Sequence, residues 1–404
     1  MTRHLPPGQP VGRPPLGRRG FLLGLTAGAV LGGSRLALAA GPEGDARLVV
    51  VLLRGALDGL AAVQPYGDPA LAGLRGRLAL PEPGEEGGLL DLGGFFGLHP
   101  RLGKLHAMFR ALEVIALHAV CGASRSRSHF VAQDMMEIGA EERLASGWLN
   151  RALAGLPGHD AATNRVAFAV GSDLPLIMRG AEPVGMYAPS RADRPAADLF
   201  ARLMEINHAD PLTGPAMAEG LRARGFTAGV VPPPEQRGGF VELAAAAGRF
   251  MAVPGGPRVA ALEMTGWDTH AGQAGRLRGV LTQLDDGLDA LRDRLGPGWA
   301  RTAVLVMTEF GRTARVNGTD GTDHGTGSAA FLLGGAVAGG KVMADWPGLA
   351  EGKLYENRDL APTLDLRAVA KALLRDHMGM SDGAVADAFP GSAAIGAKSG
   401  LLRA

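Results

Sequence analysis

Cys121 is the only cysteine in the 404-residue chain, so no disulfide can form within it, whatever the redox state of its compartment. Stability has to come from packing, with any bound metal adding to it. The sequence also lacks a basic stripe of the kind that tracks a phosphate backbone, which argues against nucleic acid as a partner. No G-x-G-x-x-G follows the first apolar run. The turn there reads RGALDG (54–59), whose spacing does not suit a dinucleotide pyrophosphate, and an oxidoreductase is disfavoured. The apolar run near the N-terminus, roughly residues 21–33, is shorter than the about 20 helical residues a bilayer span requires.

That run belongs to a recognisable leader. Paired arginines in GRRGFLLG (17–24) precede it and the small residues ALA (37–39) follow it, the layout of a twin-arginine export signal. The expectation is cleavage after residue 39, a periplasmic or extracellular mature chain with no stable membrane span, and the twin-arginine machinery as export partner. Lys and Arg number 41 against 40 Asp and Glu, and five of the arginines fall in the first 39 residues, which hold no acid. The mature chain is therefore slightly acidic. Its length suits one large domain over 40–404. Gly- and Pro-rich stretches at 67–100 and 208–240 read as loop insertions.

Six short apolar runs punctuate the chain: RLVVVLL (47–53), VIALHAV (114–120), RVAFAV (165–170), RVAALEM (258–264), TAVLVM (302–307) and AAFLLGG (329–335). They lack polar alternation, as strands buried on both faces do. Helical patterns lie between them. The clearest covers about 272–295, where Leu277, Leu281, Leu284, Leu288, Leu291 and Leu295 recur three or four apart. Its Asp285, Asp286 and Asp289 are expected on the solvated face. The fold class that follows is α/β, with a mostly parallel central sheet flanked by helices.

In open parallel sheets ligands bind at the carboxyl ends of strands, and the polar residues cluster there. Asp58 follows the first strand; Ser126, Ser128 and His129 follow the second. Asp268 and His270 (GWDTH) follow the fourth, Glu309 and Arg312 the fifth. Asp323 and His324 (GTDHG) precede the last. Carboxylates and imidazoles converging from several strands are what a divalent cation requires. Asp58, Asp268, His270, Glu309, Asp323 and His324 are the candidate ligands, with Asp323 alternatively an orienting partner of the imidazole. The glycines around His324 are expected to let the backbone bend that ring inward. In SRSRSHFVAQDMMEIG (124–139) a helix is expected to open near His129 with Ser128 at its N-cap. The same position suits a nucleophilic hydroxyl in the positive field of a helix N-terminus, with Arg125 and Arg127 available to clamp an oxyanion. His118 reads as a core histidine at the end of its strand.

The blocks LRGALDGL, SRSHFVAQDMMEIG, SGWLNRAL, GSDLPLIMRG, GWDTHAGQ, TEFGRTARVNGTDGTDHG and GGAVAGGKV resemble the DUF1501 family of exported bacterial proteins, over about 47–345. That family resembles, more distantly, the alkaline phosphatase and sulfatase superfamily, which implies an alkaline-phosphatase-like fold and one or two metals, zinc first, with manganese or calcium as alternatives. The resemblance implies Asp58 as the first-strand ligand, Ser128 as nucleophile, Asp268 and His270 as a middle cluster, Glu309 as the late-strand acid and His324 as the ligand of the His-Gly loop. Departures are visible: Phe310 stands where an imidazole follows the late-strand acid, Asp268 and His270 are closely spaced, Ser126 competes with Ser128 for the nucleophile's place, and no sulfatase-type Cys-x-Pro-x-Arg is present. One metal is easier to accommodate than two. The implied function is an exported metal-dependent hydrolase of small anionic phosphate or sulfate esters; the alternative is a non-catalytic binding or assembly protein on the same scaffold.

Overall fold

The computed structural model describes residues 45–159, 166–188 and 239–403. The leader and its cleavage site (1–39), and the 208–240 stretch up to 238, lie outside these described residues. In chain order the first half provides β1 (Arg47–Arg54), α1 (Gly59–Ala62), β2 (Val63–Gln64), α2 (Leu71–Arg75), β3 (Leu90–Asp91), β4 (Gly97–Leu98), α3 (Gly103–Arg110) and β5 (Val114–Cys121). There follow α4 (His129–Ile138), α5 (Trp148–Leu153), β6 (Ala167–Val170), β7 (Gly185–Tyr187), α6 (Phe240–Ala252), β8 (Val259–Thr265) and α7 (Gln273–Leu295). The last part contains β9 (Thr302–Thr308), β10 (Ser328–Leu333), β11 (Lys341–Met343), β12 (Leu364–Asp365), α8 (Leu366–Ala372) and α9 (Asp382–Ala388).

All six apolar runs are strands of one sheet, ordered β11-β5-β10-β9-β1-β8-β6-β7, with β12 also pairing β5. Its pairings are parallel except at β10, which runs antiparallel to both β5 and β9. The fold is thus α/β, a mixed but mostly parallel sheet between helical layers. Both faces are covered, which is why the runs do not alternate. Val49, Val51 and Leu53 of β1 enter the core beneath α6 and α7, while Leu48, Val50 and Leu52 enter the opposite core against α5, α8 and α9.

Helix α7 buries its leucine stripe as the periodicity predicts. Asp285 does not stay on the solvated face. It is buried, and its carboxylate accepts from the backbone N–H groups of Lys104 (3.0 Å) and Leu105 (2.8 Å), the first turn of α3. An acidic side chain satisfies donors that a helix start leaves free, so tertiary capping has overridden the surface reading. Asp286 and Asp289 remain near the surface and pair with Lys104. His118 lies within β5 and is fully buried. The 67–100 stretch is mostly loop, carrying α2 and the small three-stranded sheet β2-β4-β3.

The direction of β10 matters most for function. Being antiparallel, it begins at the sheet edge where β5, β9, β1 and β8 end. The loop before β10 therefore meets the loops after those four strands, all from adjacent positions in the sheet.

Candidate metal centre

Four loops converge at this edge. His129 is the first residue of α4, after β5. Asp268 and His270 follow β8, and Glu309 and Arg312 follow β9. Residues 311–313 then pair with the loop before β10: Gly311 N–H donates to Thr326 O, Thr313 N–H to Asp323 O and Gly325 N–H to Gly311 O, with a bridge between Arg312 and His324. This short ladder sets His324 beside Asp268.

The glycines of the 317–327 loop act differently from the expectation. None of Gly318, Gly321, Gly325 and Gly327 is in the left-handed region, where the loop instead places Asp320. Their use is close approach. A Cβ on Gly321 would meet His270 O at 2.1 Å, and one on Gly325 would meet Arg312 O at 2.5 Å. The backbones pack so tightly that no side chain fits between them.

The donor atoms gather closely. His129, Asp268 and His324 each offer a ligand atom, all within 4.8 Å of one another. His129 Nε2 lies 3.1 Å from His324 Nε2 and 3.6 Å from Asp268 Oδ2, and His324 Nε2 lies 3.3 Å from Asp268 Oδ1. Two donors bonded at about 2.0–2.2 Å to one tetrahedral ion stand about 3.3–3.6 Å apart, so the spacing suits a shared cation. His270 adjoins the group, with Nε2 2.9 Å from His324 Nε2 and 3.0 Å from Asp268 Oδ1.

The hydrogen bonds on the far side of each ring are more informative than the distances. His324 Nδ1 faces the carbonyl of Arg127 at 2.9 Å, His129 Nδ1 faces Glu309 Oε1 at 2.8 Å, and His270 Nδ1 faces Asp323 Oδ1 at 3.3 Å. A carbonyl or carboxylate oxygen only accepts, so each Nδ1 carries the proton and donates. In the neutral rings each Nε2 is then a bare lone pair facing the Asp268 carboxylate, with His324 between the other two rings. A carboxylate or carbonyl behind each imidazole is the usual companion of a metal ligand, and His129, Asp268 and His324 together could hold a cation.

The Glu309 hydrogen bond holds His129 above the ordinary imidazole value, whereas burial, helped by His129, holds His324 below it. Burial pushes Asp268 up, but the Arg312 guanidinium, 2.7 Å away, outweighs it and keeps the carboxyl below its usual range.

The other sequence candidates take surrounding places. Glu309 is buried behind His129, and its carboxylate also accepts from Gly55 N–H, Gln133 Nε2 and Thr308 Oγ1. Burial alone would raise its pKa; the bonds from His129, Gln133 and Gly55 keep it lowered. Asp323 orients His270, not His324. Asp58 is N-cap of α1, buried, ion-paired with Arg75 and bonded to Gln273 Nε2 at 2.5 Å; it does not belong to the clustered donors. Ser128 holds the N-cap position of α4 but makes no capping bond with its hydroxyl, which lies on an exposed residue directly before His129. Arg127 is engaged by Asp359 (2.6 Å) and Glu356 (2.7 Å), and Arg125 donates to Gly122 O. Two contributors were not singled out as ligand or support: His129 and Arg312. Their signal was position, since each follows a strand that ends at this edge.

The sequence matches the family described as "Protein of unknown function (DUF1501)" over residues 123–389. The chain belongs to this family. No curated protein matches it. Among solved structures, it is similar to the C-terminal periplasmic domain of EcEptC from Escherichia coli in complex with Zn, at 8% identity, covering 73% of this chain and 74% of that one, with a TM-score of 0.37. It is also similar to Ps i-CgsB (11% identity, 74% and 68% covered, TM-score 0.35) and to alkaline phosphatase from the Antarctic bacterium TAB5 (12%, 71% and 91%, 0.30). Likeness at this level is loose, and no ion, substrate or reaction follows from it. Among the described residues no helix is long and apolar enough to cross a membrane.

Proposed function

We propose that this DUF1501 member is an exported hydrolase of phosphate or sulfate esters that depends on one divalent cation. The observation that carries the reading is the set of imidazoles whose Nδ1–H groups are all taken by oxygen acceptors, leaving Nε2 of His129, His324 and His270 facing the Asp268 carboxylate. A donor set of imidazoles and one carboxylate suits zinc, with manganese next; calcium prefers oxygen ligands alone. His129, Asp268 and His324 would hold the ion, with His270 beside them and a position left for substrate. Bound there, it supplies Lewis acidity toward an ester oxygen. The leader motif supports export by the twin-arginine route to the periplasm or beyond.

The residues around the centre have separate tasks in this reading. Ser128 Oγ, uncommitted to the cap and at the positive end of α4, attacks the ester. Glu309, Asp323 and the Arg127 carbonyl fix the three rings, and Arg312 keeps Asp268 ionised. Arg127, tied to Asp359 and Glu356, steadies the turn that carries Ser128 and His129. Asp58, clamped by Arg75 and Gln273, supports the same edge from beneath. Phe310 packs on both His129 and His324, with ring centroids 4.8 and 5.1 Å away, so a second ion has no room on that side. That apolar wall also favours the second reading, in which the ion is structural and the protein binds or assembles without turnover.

The test is elemental analysis of untagged protein, wild type against His324→Ala and His129→Ala, together with turnover of aryl phosphate and aryl sulfate. The expected result is about one equivalent of zinc or manganese, lost in both variants, with Ser128→Ala keeping the metal and losing turnover. Metal-free wild type after incubation with those ions would sink the proposal. Bound metal without turnover of either ester would favour the binding protein.

A further inference from the structure

A cavity of about 510 Å³ opens between the first turns of α7 and the loop region around α2 and β4. Leu78, Leu80 and Leu277 give it an apolar side, and Arg77, Arg101 and Arg278 give it a basic one. No Asp or Glu lines it. Arg101 and Arg278 also line a neighbouring groove of about 440 Å³. Among the described residues neither forms an ion pair, and Arg278 spends only its Nε, on Ala274 O at 3.0 Å. Arg77 has one distant partner, Asp320 at 3.8 Å, and both side chains are exposed. The positive charge is therefore not neutralised by the protein's own acids.

His99 adds an independent observation. It lines the cavity and is 7% exposed. Its Nδ1 accepts from the Arg101 backbone N–H at 3.1 Å, so the ring proton resides on Nε2. No acceptor among the described residues engages that Nε2–H. Burial, and then the charges of Arg101 and Arg278, push the His99 pKa down to about 4; the ring is a neutral donor under ordinary conditions, in a positive field. That Nε2–H is open to the solvent in the cavity, where an acceptor on a ligand can take the place of water.

We propose that this cavity is a second binding site, for an organic monoanion on an apolar body, such as an aryl sulfonate or aryl carboxylate. The volume falls within the range of small-molecule sites, which pair an apolar lining with a few placed polar groups, and it is far larger than an inorganic anion requires. Arg101 and Arg278 take the charge, His99 Nε2–H donates to the same group, and Leu78, Leu80 and Leu277 cover the apolar body. The site is separate from the metal centre. Gln273, part of the cavity wall, turns its amide the other way, toward Asp58 and the hydroxyls of Thr269 and Thr322.

The experiment is titration of the full chain with 1-anilinonaphthalene-8-sulfonate, followed by fluorescence and calorimetry. Its uncharged relative N-phenyl-1-naphthylamine is titrated in parallel. One saturable site is expected for the sulfonate. The double variant Arg101→Gln/Arg278→Gln should weaken it about tenfold or more, the scale of a lost charge-assisted contact, while leaving the neutral relative unaffected. Both arginines are exposed, so the variant should keep the wild-type melting curve. His324→Ala should bind the sulfonate as wild type does, which makes this test independent of the metal centre. Absence of a saturable site, equal binding of the two dyes, an unchanged affinity in the double variant, or loss of binding in His324→Ala would each overturn the proposal.

Discussion

A histidine held neutral in the core makes a fold sensitive to acid. His118 donates from Nε2 to Val63 O and accepts at Nδ1 from Ala119 N–H, both at 2.8 Å, so an added proton has to break the second bond. Burial pushes its pKa down to about 4. The unfolded chain protonates this ring near its ordinary value of about 6.5, above the folded value. Stability is then unaffected above pH 6.5 and falls as pH drops toward 4, by up to about 3 kcal/mol if the full difference is realised. Urea unfolding between pH 7 and 4.5 checks this. His118→Gln, whatever its stability at pH 7, should lose less on acidification than wild type; parallel curves would reject the assignment. At this same scale the sequence was legible in residue type more than in role. His324, Asp268 and His270 stand out because imidazole and carboxylate are uncommon on glycine-rich turns. Glu309 has the same signature, yet it contacts the ring and not the group of donors. One imidazole's width separates those roles, and no spacing along the chain encodes it. Asp58 is similar: its partner Arg75 comes from a Gly- and Pro-containing stretch with no periodic signal.

At the scale of elements, the sheet was readable because strands buried on both faces must be continuously apolar. The direction of β10 was not, since an apolar strand reads alike from either end. That direction brings the 317–327 loop to the edge where the donor side chains gather, and Gly311 is where the two segments press closest. A Cβ there would stand 1.8 Å from the Gly327 carbonyl oxygen, whereas one on Gly318 meets nothing within 4 Å. Gly311→Ala should therefore cost about 2–4 kcal/mol, as backbone displacement does, and Gly318→Ala within about 0.5 kcal/mol, as a free surface site does. Chemical denaturation of both variants measures this, and metal content should fall only in Gly311→Ala. Equal stability of the two would mean that the ladder between 311–313 and 323–326 yields easily, and could not fix His324. The burial of Asp285 belongs to this scale too. Leucine periodicity located α7, but only the approach of α3 decides which of its acids caps another helix.

Across the whole molecule, the proposed ion would join segments that are far apart in sequence: the start of α4, the loop after β8 and the loop before β10. With no disulfide available to Cys121, such a junction is the one metal cross-link that the donors among the described residues offer. A ligand that binds only the folded state stabilises it by RT ln(1 + [L]/Kd), about 2.7 kcal/mol at a hundredfold excess over Kd. For a chain of this size that corresponds to a shift of about 3 °C in the unfolding midpoint. Scanning calorimetry of the protein with zinc and with excess chelator should show this shift in wild type and its absence in His324→Ala, where the donor set is broken. The variant also separates two causes of a low midpoint. If chelation lowers wild type to the variant's value, the ion is what holds the loops together. If the variant lies well below chelated wild type, the Nδ1 hydrogen bond to the Arg127 carbonyl carries that load, and the ion adds little. A chelator without effect on wild type would remove the ion from the account of stability altogether.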